Sequence, residues 1–284
     1  MAKTLLPVGH EALKIPFCEV SATRGVKPPT YTSRESLGSS TIDNFLSSNT
    51  NNILQGDSFE ILPRLPALSA ELILTDIPYG VVNRKSAGIR QFDKGAADVA
   101  DDIDLELLVS EFDRICRGSM YVFCGTEQVS ELRRLMVERG MTTRLCIWEK
   151  TNPSPVNGRH LWLSGVETCV FGRKKGAIFN EHCKNTVWRF PNGRSKIHPT
   201  EKPAAMFEYL IETSSNRGDF VIDPFAGSGT TAAACIASGR RFLCIERDAG
   251  FYASACERIG IAPATSAIRE ETDREAEYAA EIVA

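Results

Sequence analysis

GDFVIDPFAGSGTTAAACIASGRRFLCIERD, residues 218–248, decides how this chain folds. Phe220–Ile222 is a short apolar run of strand type, and a turn containing Gly227 and Gly229 follows it. Helical composition starts at Thr231 and stops at Gly239, and a second apolar run ends at Glu246. Glycines in such a turn let the backbone approach a ligand, and the helix beyond offers free N–H groups. Glu246 stands 19 residues after Gly227, near the roughly 20-residue spacing of a carboxylate that holds ribose hydroxyls. Strand, glycine turn, helix, strand and acid in this order imply a nucleoside-containing cofactor. A phosphate-binding loop for ATP needs Lys after Gly229, where Thr230 stands. Gly227-x-Gly229-x-x-Ala232 also fits the glycine pattern of a dinucleotide fold. Only the helix-like Phe251–Arg258 and an acidic tail follow Glu246, however, so the other strands must come from earlier in the chain.

Upstream, strand and helix signals alternate. Strand candidates are Asn52–Gln55, Leu72–Thr75, Met120–Cys124, Leu145–Trp148 and Glu167–Phe171, which with Phe220–Ile222 and Phe242–Ile245 make seven. Helical segments are Leu105–Ile115, Glu127–Glu138, Ala204–Ser214 and Thr231–Ser238. In the second of these, Val129, Leu132, Leu135 and Met136 share a face and Gly140 supplies a stop. Apolar strands alternating with helices imply an α/β fold, a Rossmann-like doubly wound sheet of seven strands covered on both sides. Residues 1–48, rich in Ser, Thr, Pro and Gly, read as an irregular arm. Residues 49–260 read as the catalytic domain and 261–284 as an acidic tail. Long stretches without periodicity, 80–104 and roughly 151–198, are expected to be a lid loop and a small recognition insertion.

Composition narrows the possibilities. The chain has 284 residues, 43% of them hydrophobic and 24% charged, and a net charge of −3. No apolar run approaches the roughly 18 residues needed to span a bilayer, and the N-terminus lacks a secretion signal, so a cytoplasmic protein is expected. The nine cysteines contain no C-x-x-C pair, and several lie in apolar runs. They read as buried thiols in a reducing compartment. His182 and Cys183 have no partner pair at ligand spacing, and no metal is expected. Residues 173–202 hold eight Lys or Arg against two Glu, whereas 261–284 hold two Arg against six acids. A basic stretch inside an acidic protein suits one face that meets phosphate.

LILTDIPYG, residues 72–80, poses the other question: why a carboxylate, a proline and an aromatic ring stand together where a strand ends. Strand ends of open α/β sheets are where ligands bind. Asp76-Ile77-Pro78-Tyr79 together with Phe225-Ala226-Gly227-Ser228-Gly229 resembles the β-class amino DNA methyltransferases, in which a D/N/S-P-P-Y motif precedes an F-x-G-x-G motif. HPTEKP, residues 198–203, and LQGDSFEILPRLP, residues 54–66, match two further family segments. The resemblance covers about residues 50–260. One departure is Ile77, where the family has proline.

The resemblance implies a circularly permuted motif order and S-adenosyl-L-methionine as cofactor. It also implies methylation of an exocyclic amine in double-stranded DNA by base flipping, and a homodimer. Asp76 and the residue 77 carbonyl would accept the amine N–H bonds, Pro78 would fix the turn, and Tyr79 would stack on the extruded base. Cofactor contacts would come from Asp57, Asp76, His198, Thr200, Lys202, Asp223, Phe225, Ala226, Gly227, Ser228, Gly229, Thr230, Glu246 and Arg247. Within these, Glu246 would hold the ribose, Asp57 the adenine end, and Lys202 or Thr200 the methionine carboxylate. DNA contacts are expected from Asn83, Arg84, Lys85 and Arg90 after the catalytic corner, and from Asn152, Arg159 and His160 in a polar loop. Arg173, Lys174, Lys175, Arg189, Arg194 and Lys196 complete that set through phosphates.

In the resembling family, Asp at the first motif position goes with N6-adenine and Ser with N4-cytosine, so Asp76 favours adenine, with N4-cytosine the alternative. A protein-glutamine methyltransferase would place its cofactor motif before an N-P-P-Y motif, the reverse of the order here. A non-catalytic DNA-binding regulator is the remaining alternative, and Ile77 leaves room for it.

Overall fold

The computed structural model describes residues 49–79, 103–155, 158–193 and 202–263. All lie in one compact unit, Leu37–Ala284. The strands are β1 (Asn52–Gln55), β2 (Ala70–Asp76), β3 (Cys116–Cys124), β4 (Thr142–Lys150), β5 (Val166–Arg173), β6 (Val187–Phe190), β7 (Phe220–Asp223) and β8 (Arg241–Glu246). The helices are α1 (Ser58–Ile61), α2 (Leu105–Ile115), α3 (Val129–Glu138), α4 (Ala204–Ser214), α5 (Thr230–Ser238) and α6 (Ala249–Ile259).

One sheet runs in the order β1-β8-β7-β2-β3-β5-β4-β6. The first five strands are mutually parallel. β5 then lies antiparallel to both β3 and β4, and β6 parallel to β4. Among the described residues the sheet therefore has eight strands and not the expected seven. The extra one, β6, sits in a stretch whose four residues are too few to show a period and include a charge, Arg189. Trp188 of β6 is nevertheless buried and packs edge-on against Tyr121, 5.9 Å away. A single large apolar side chain thus docks an edge strand that pattern alone does not reveal.

Side chains alternate across the sheet as a two-residue period requires. Leu72, Leu74, Tyr121 and Phe123 face one core with Phe207, Leu210 and Ile211 of α4, Cys235 of α5 and Tyr252 of α6. Ile73, Met120 and Val122 face the other, with Ile61 of α1, Leu108 and Phe112 of α2, and Leu132 and Met136 of α3. Three helices cover each face, which explains strands that read as near-continuous apolar runs. At about 25 cal/mol per Å² of apolar area, burial on two faces is the main drive for this layering.

The registers decide where the site lies. Ile73 is opposite Ile222, and Asp223 is opposite Cys244. Asp76, Asp223, Glu246 and Gln55 therefore end parallel neighbouring strands along the same edge of the sheet. The two motifs, about 150 residues apart in sequence, are brought together there.

Candidate active site

The cofactor-type segment is built around Glu246. Its Oε2 accepts the Gly227 N–H at 2.8 Å and its Oε1 the Asp248 N–H at 2.8 Å. Burial raises its pKa above the usual carboxylate range. Gly227 has φ +51° and Gly229 φ +75°, the left-handed region that favours glycine. A Cβ on Gly229 would come within 3.0 Å of Ala255, whereas one on Gly227 would meet nothing within 4 Å. The turn is closed behind by α6 and open in front at Gly227, the shape a ligand lying on the backbone requires. Ala226 N–H donates to Ile245 O at 2.9 Å and ties the turn to β8. Ser228 and Thr230 both accept from Arg258 of α6, at 3.2–3.3 Å. Asp223 is buried beneath the turn, where it accepts from Thr231 Oγ1 and from Phe225 N at 3.1 Å. Burial pushes its carboxyl up to about 6 against those bonds. Asp57 caps α1 through Phe59 N at 2.8 Å and lies 3.8 Å from Arg247.

The Asp76 corner is held by groups from four elements. Ile77 donates its N–H to Phe123 O at 3.1 Å, and its side chain is 1% exposed. A proline at 77 has no N–H to give. The departure from the family motif therefore exchanges proline stiffness for a hydrogen bond to β3 and a buried anchor. Gln128 Nε2 donates to Pro78 O at 3.1 Å, while Gln128 Oε1 accepts from Gly125 N at 2.9 Å. Asp76 Oδ1 accepts from the Tyr79 hydroxyl at 2.8 Å, and Oδ2 from Lys202 Nζ at 2.5 Å.

Lys202 carries a larger network. Its side chain, 4% exposed, also pairs with Glu167 Oε2 at 2.8 Å and approaches the Tyr79 hydroxyl at 3.2 Å. Glu167 Oε1 pairs in turn with Lys150 at 2.7 Å. Burial raises the pKa of Asp76, with the Lys202 charge opposing it. Burial also acts to raise Glu167, but the Lys202 and Lys150 ammoniums outweigh it and hold the carboxyl below its usual range. Lys202 is raised despite burial, because two carboxylates face it. Burial and the Asp76 charge push the Tyr79 hydroxyl far up, so it stays a donor.

Glu167, Lys150 and Gln128 are absent from the residues picked out by sequence. A signal for Glu167 exists: on β5 it shares the two-residue period of Cys169 and Phe171, both buried, and an acid on a core face needs a cation. Lys150 likewise follows buried Trp148 by two.

The remaining expected residues divide by position. Asn152, Arg159 and His160 lie in the β4–β5 loop at the Asp76 edge of the sheet, exposed. Asn152 is clamped to the Asn192 backbone. Arg189 pairs with Glu149 at 3.0 Å. Arg173 ends β5 opposite Ser119, near the start of β3, so Arg173, Lys174 and Lys175 stand at the other edge of the sheet from Asp76. Lys174 pairs there with Asp113 at 2.7 Å and Arg173 donates to Ala177 O. The reason is the antiparallel direction of β5, which composition cannot reveal. Asn83, Arg84, Lys85, Arg90, Arg194, Lys196, His198 and Thr200 lie outside the described residues. Among the described residues no helix is long and apolar enough to cross a membrane, and no cluster of three His, Cys, Asp or Glu could hold a metal ion.

The family model for the N6 and N4 DNA methylases matches residues 70–257, from β2 through α6. The chain belongs to this family. As a DNA amino methyltransferase it is 30% identical over 256 residues to DNA adenine methyltransferase YhdJ of Escherichia coli K12, covering 76% of this chain and 84% of that one. It is 30% identical over 244 residues to Type II methyltransferase M.HinfI of Haemophilus influenzae, covering 74% and 68%. Among solved structures, the M1.HpyAVI–SAM complex superposes with a TM-score of 0.57 at 26% identity, over 74% of this chain and 98% of that one.

Proposed function

We propose that this methyltransferase transfers a methyl group from S-adenosylmethionine to the N6 amine of adenine in double-stranded DNA, after extruding the base. The observation that carries the reading is the juxtaposition of the Asp76 corner with the open glycine turn on neighbouring strand ends. The YhdJ relative, an adenine methyltransferase by name, and an acid at the first motif position favour adenine over cytosine.

The cofactor supplies an electrophilic methyl on a sulfonium centre. The Gly227–Gly229 backbone, Glu246 and Asp57 would hold it, with Asp223 supporting the turn from beneath. Glu246 keeps acceptor capacity beyond its two backbone bonds. The three short contacts of Lys202 are to Asp76, Glu167 and Tyr79, so this reading gives it to the Asp76 corner in place of the methionine carboxylate.

The N6 lone pair is delocalised into the purine ring, so the amine is a poor nucleophile. An acceptor fixed in a dry corner can grip its N–H bonds and aim the lone pair, and such preorganisation supplies the catalysis. In the structure both Asp76 oxygens have donors. The amine therefore takes the place of the Tyr79 hydroxyl on Oδ1, and Tyr79, released, offers its ring to the base. Stacking offsets the few kcal/mol of lost pairing. As the N–C bond forms, the nitrogen becomes positively charged and sheds a proton. Asp76, with burial raising its proton affinity, is placed to take it.

DNA contact is assigned to the loop at this edge. Beside Arg159 and His160, Trp162 is 99% exposed, a residue suited to stacking or wedging in a duplex. The Arg173–Lys175 group stands at the other edge and takes no part in this reading. The homodimer is supported by Leu145, Val166 and Val187, exposed on one face of the sheet at its β6 end. Sedimentation of the protein at micromolar concentration checks it, and a purely monomeric boundary would count against it.

Mass spectrometry of nucleosides digested from treated duplex DNA tests the function. N6-methyladenine is expected. N4-methylcytosine without N6-methyladenine would overturn the adenine assignment.

A further inference from the structure

Asp76 is a half-buried carboxylate, its side chain 26% exposed, that must be ionised to accept an amine N–H and must then bind a proton. What surrounds it decides whether it can do both. The contacts run Tyr79–Asp76–Lys202–Glu167–Lys150, with charges alternating from Asp76 to Lys150, and the Tyr79 hydroxyl closes the ring by a longer bond donated to Glu167 Oε2 at 3.4 Å. It draws on the end of β2, a residue two positions before α4, the start of β5 and the end of β4. A buried ammonium held by one carboxylate alone would be free to collapse onto it. Here Glu167 pulls Lys202 from the other side, and Lys150 in turn neutralises Glu167.

We propose that Glu167 is a positioning residue of the methyl-transfer site. Acting through Lys202, it fixes the Asp76 carboxylate and keeps it weak enough as an acid to receive the proton shed by the amine. This rests on the reading that Asp76 meets the substrate amine. The step balances simply. The N–C bond forms as the S–C bond breaks, the lone pair of nitrogen entering the new bond, and one N–H bond then gives its proton to the Asp76 carboxylate. Glu167 and Lys202 keep their own protonation states throughout.

The groups facing Asp76 and Glu167 are few. From the corner there is Tyr79, kept protonated by burial and the nearby carboxylates. From β3 comes Cys124, whose thiol burial pushes up to about 12, and from β5 Cys169, whose thiol burial also pushes well up. All three are neutral near pH 7, so Lys202, Lys150 and the two carboxylates carry the charge. Asp223 joins them from the end of β7, where burial pushes its carboxyl up to about 6 and it feels the Asp76 charge. D223N run alongside separates its titration from that of Asp76. The Glu167 charge raises the proton affinity of Asp76 and the Lys202 charge lowers it. Removing either must move the acid limb of turnover, and in opposite directions.

Single-turnover methylation of duplex DNA from pH 5 to 9 tests this with the full-length protein and its E167Q, E167D and K202M variants. E167Q is expected to move the acid limb down by roughly one pH unit and to lower the rate at neutral pH. E167D, which keeps the charge, is expected to leave the limb where it is, and K202M to move it up. A limb at the parental position in both E167Q and K202M, or one moving the same way in both, overturns the proposal. If E167Q does not fold, judged by lost cofactor binding, K202M decides alone: an upward limb supports the proposal and an unmoved one overturns it. The same digests name the methylated base. Methylcytosine as product would sink the adenine reading while the limb shifts still judged Glu167.

Discussion

Replacing Ile77 by proline would restore the family's D-P-P-Y spelling, and the structure predicts that it harms this protein. Phe123 O would lose the Ile77 N–H that now reaches it at 3.1 Å. Leaving a buried acceptor unpaired costs about 1–3 kcal/mol. The Ile77 side chain is 1% exposed and packs in the core beneath α1 and α2, and trimming it to a proline ring costs on the order of 1 kcal/mol more. The sum, about 2–4 kcal/mol, lowers Tm by roughly 4–15 °C in a domain of this size. I77V is the control. It keeps the N–H and costs only about 0.5–1.5 kcal/mol. Urea melts of the three proteins, with rates of methyl transfer to duplex DNA, provide the readout. An I77P protein as stable and as active as the parent would refute the argument that a hydrogen bond to β3 replaces the missing proline.

Three further outcomes follow from the same geometry. G227A forces a side chain onto a residue at φ +51° and fills the open space before the turn; calorimetry should show S-adenosylmethionine binding weakened at least tenfold while the fold survives. Asp223, raised to about 6, binds a proton in the folded state at pH values where the unfolded chain, with its ordinary pKa near 4, has released it. Its contribution to stability must therefore fall as pH rises from about 4 to about 6, by on the order of 3 kcal/mol, and D223N should show a smaller fall than the parent in denaturant titrations across that window. W162A should weaken duplex binding about 5- to 100-fold, as expected for losing one stacked aromatic, with cofactor affinity unchanged in a fluorescence titration.

The parallel half of the sheet was legible because its strands are covered on both faces. Burial on two sides produces apolar runs such as LIL and FVI, and a glycine turn marks the ligand-facing end of β7. The bounds of α2 and α4 were legible to the residue, since Asp104 caps the first through Leu107 N and Pro203 starts the second. β6 was not legible, because its fit depends on Trp188 meeting Tyr121 and Phe123 across the sheet. Motifs mark Asp76, Tyr79 and Lys202, and the structure brings the three within hydrogen-bonding distance of one another. Glu167 escaped because motif reading looks for known spellings, whereas its role arises from a cation delivered by a segment 35 residues away. The basic run 173–175 misled for a related reason. Charge in sequence says nothing of strand direction, and an antiparallel β5 carries those residues to the far edge.

The central claim is that Asp76 grips the substrate amine while the glycine turn, a separate structure, holds the cofactor. Measuring both on one variant, D76A, tests this most directly. Cofactor affinity by calorimetry should stay within a few-fold of the parent, while the rate of methyl transfer to duplex DNA falls roughly a hundred- to a thousandfold, the scale of losing an electrostatic group at the reacting atoms. A D76A protein that methylates DNA at the parental rate would contradict the account.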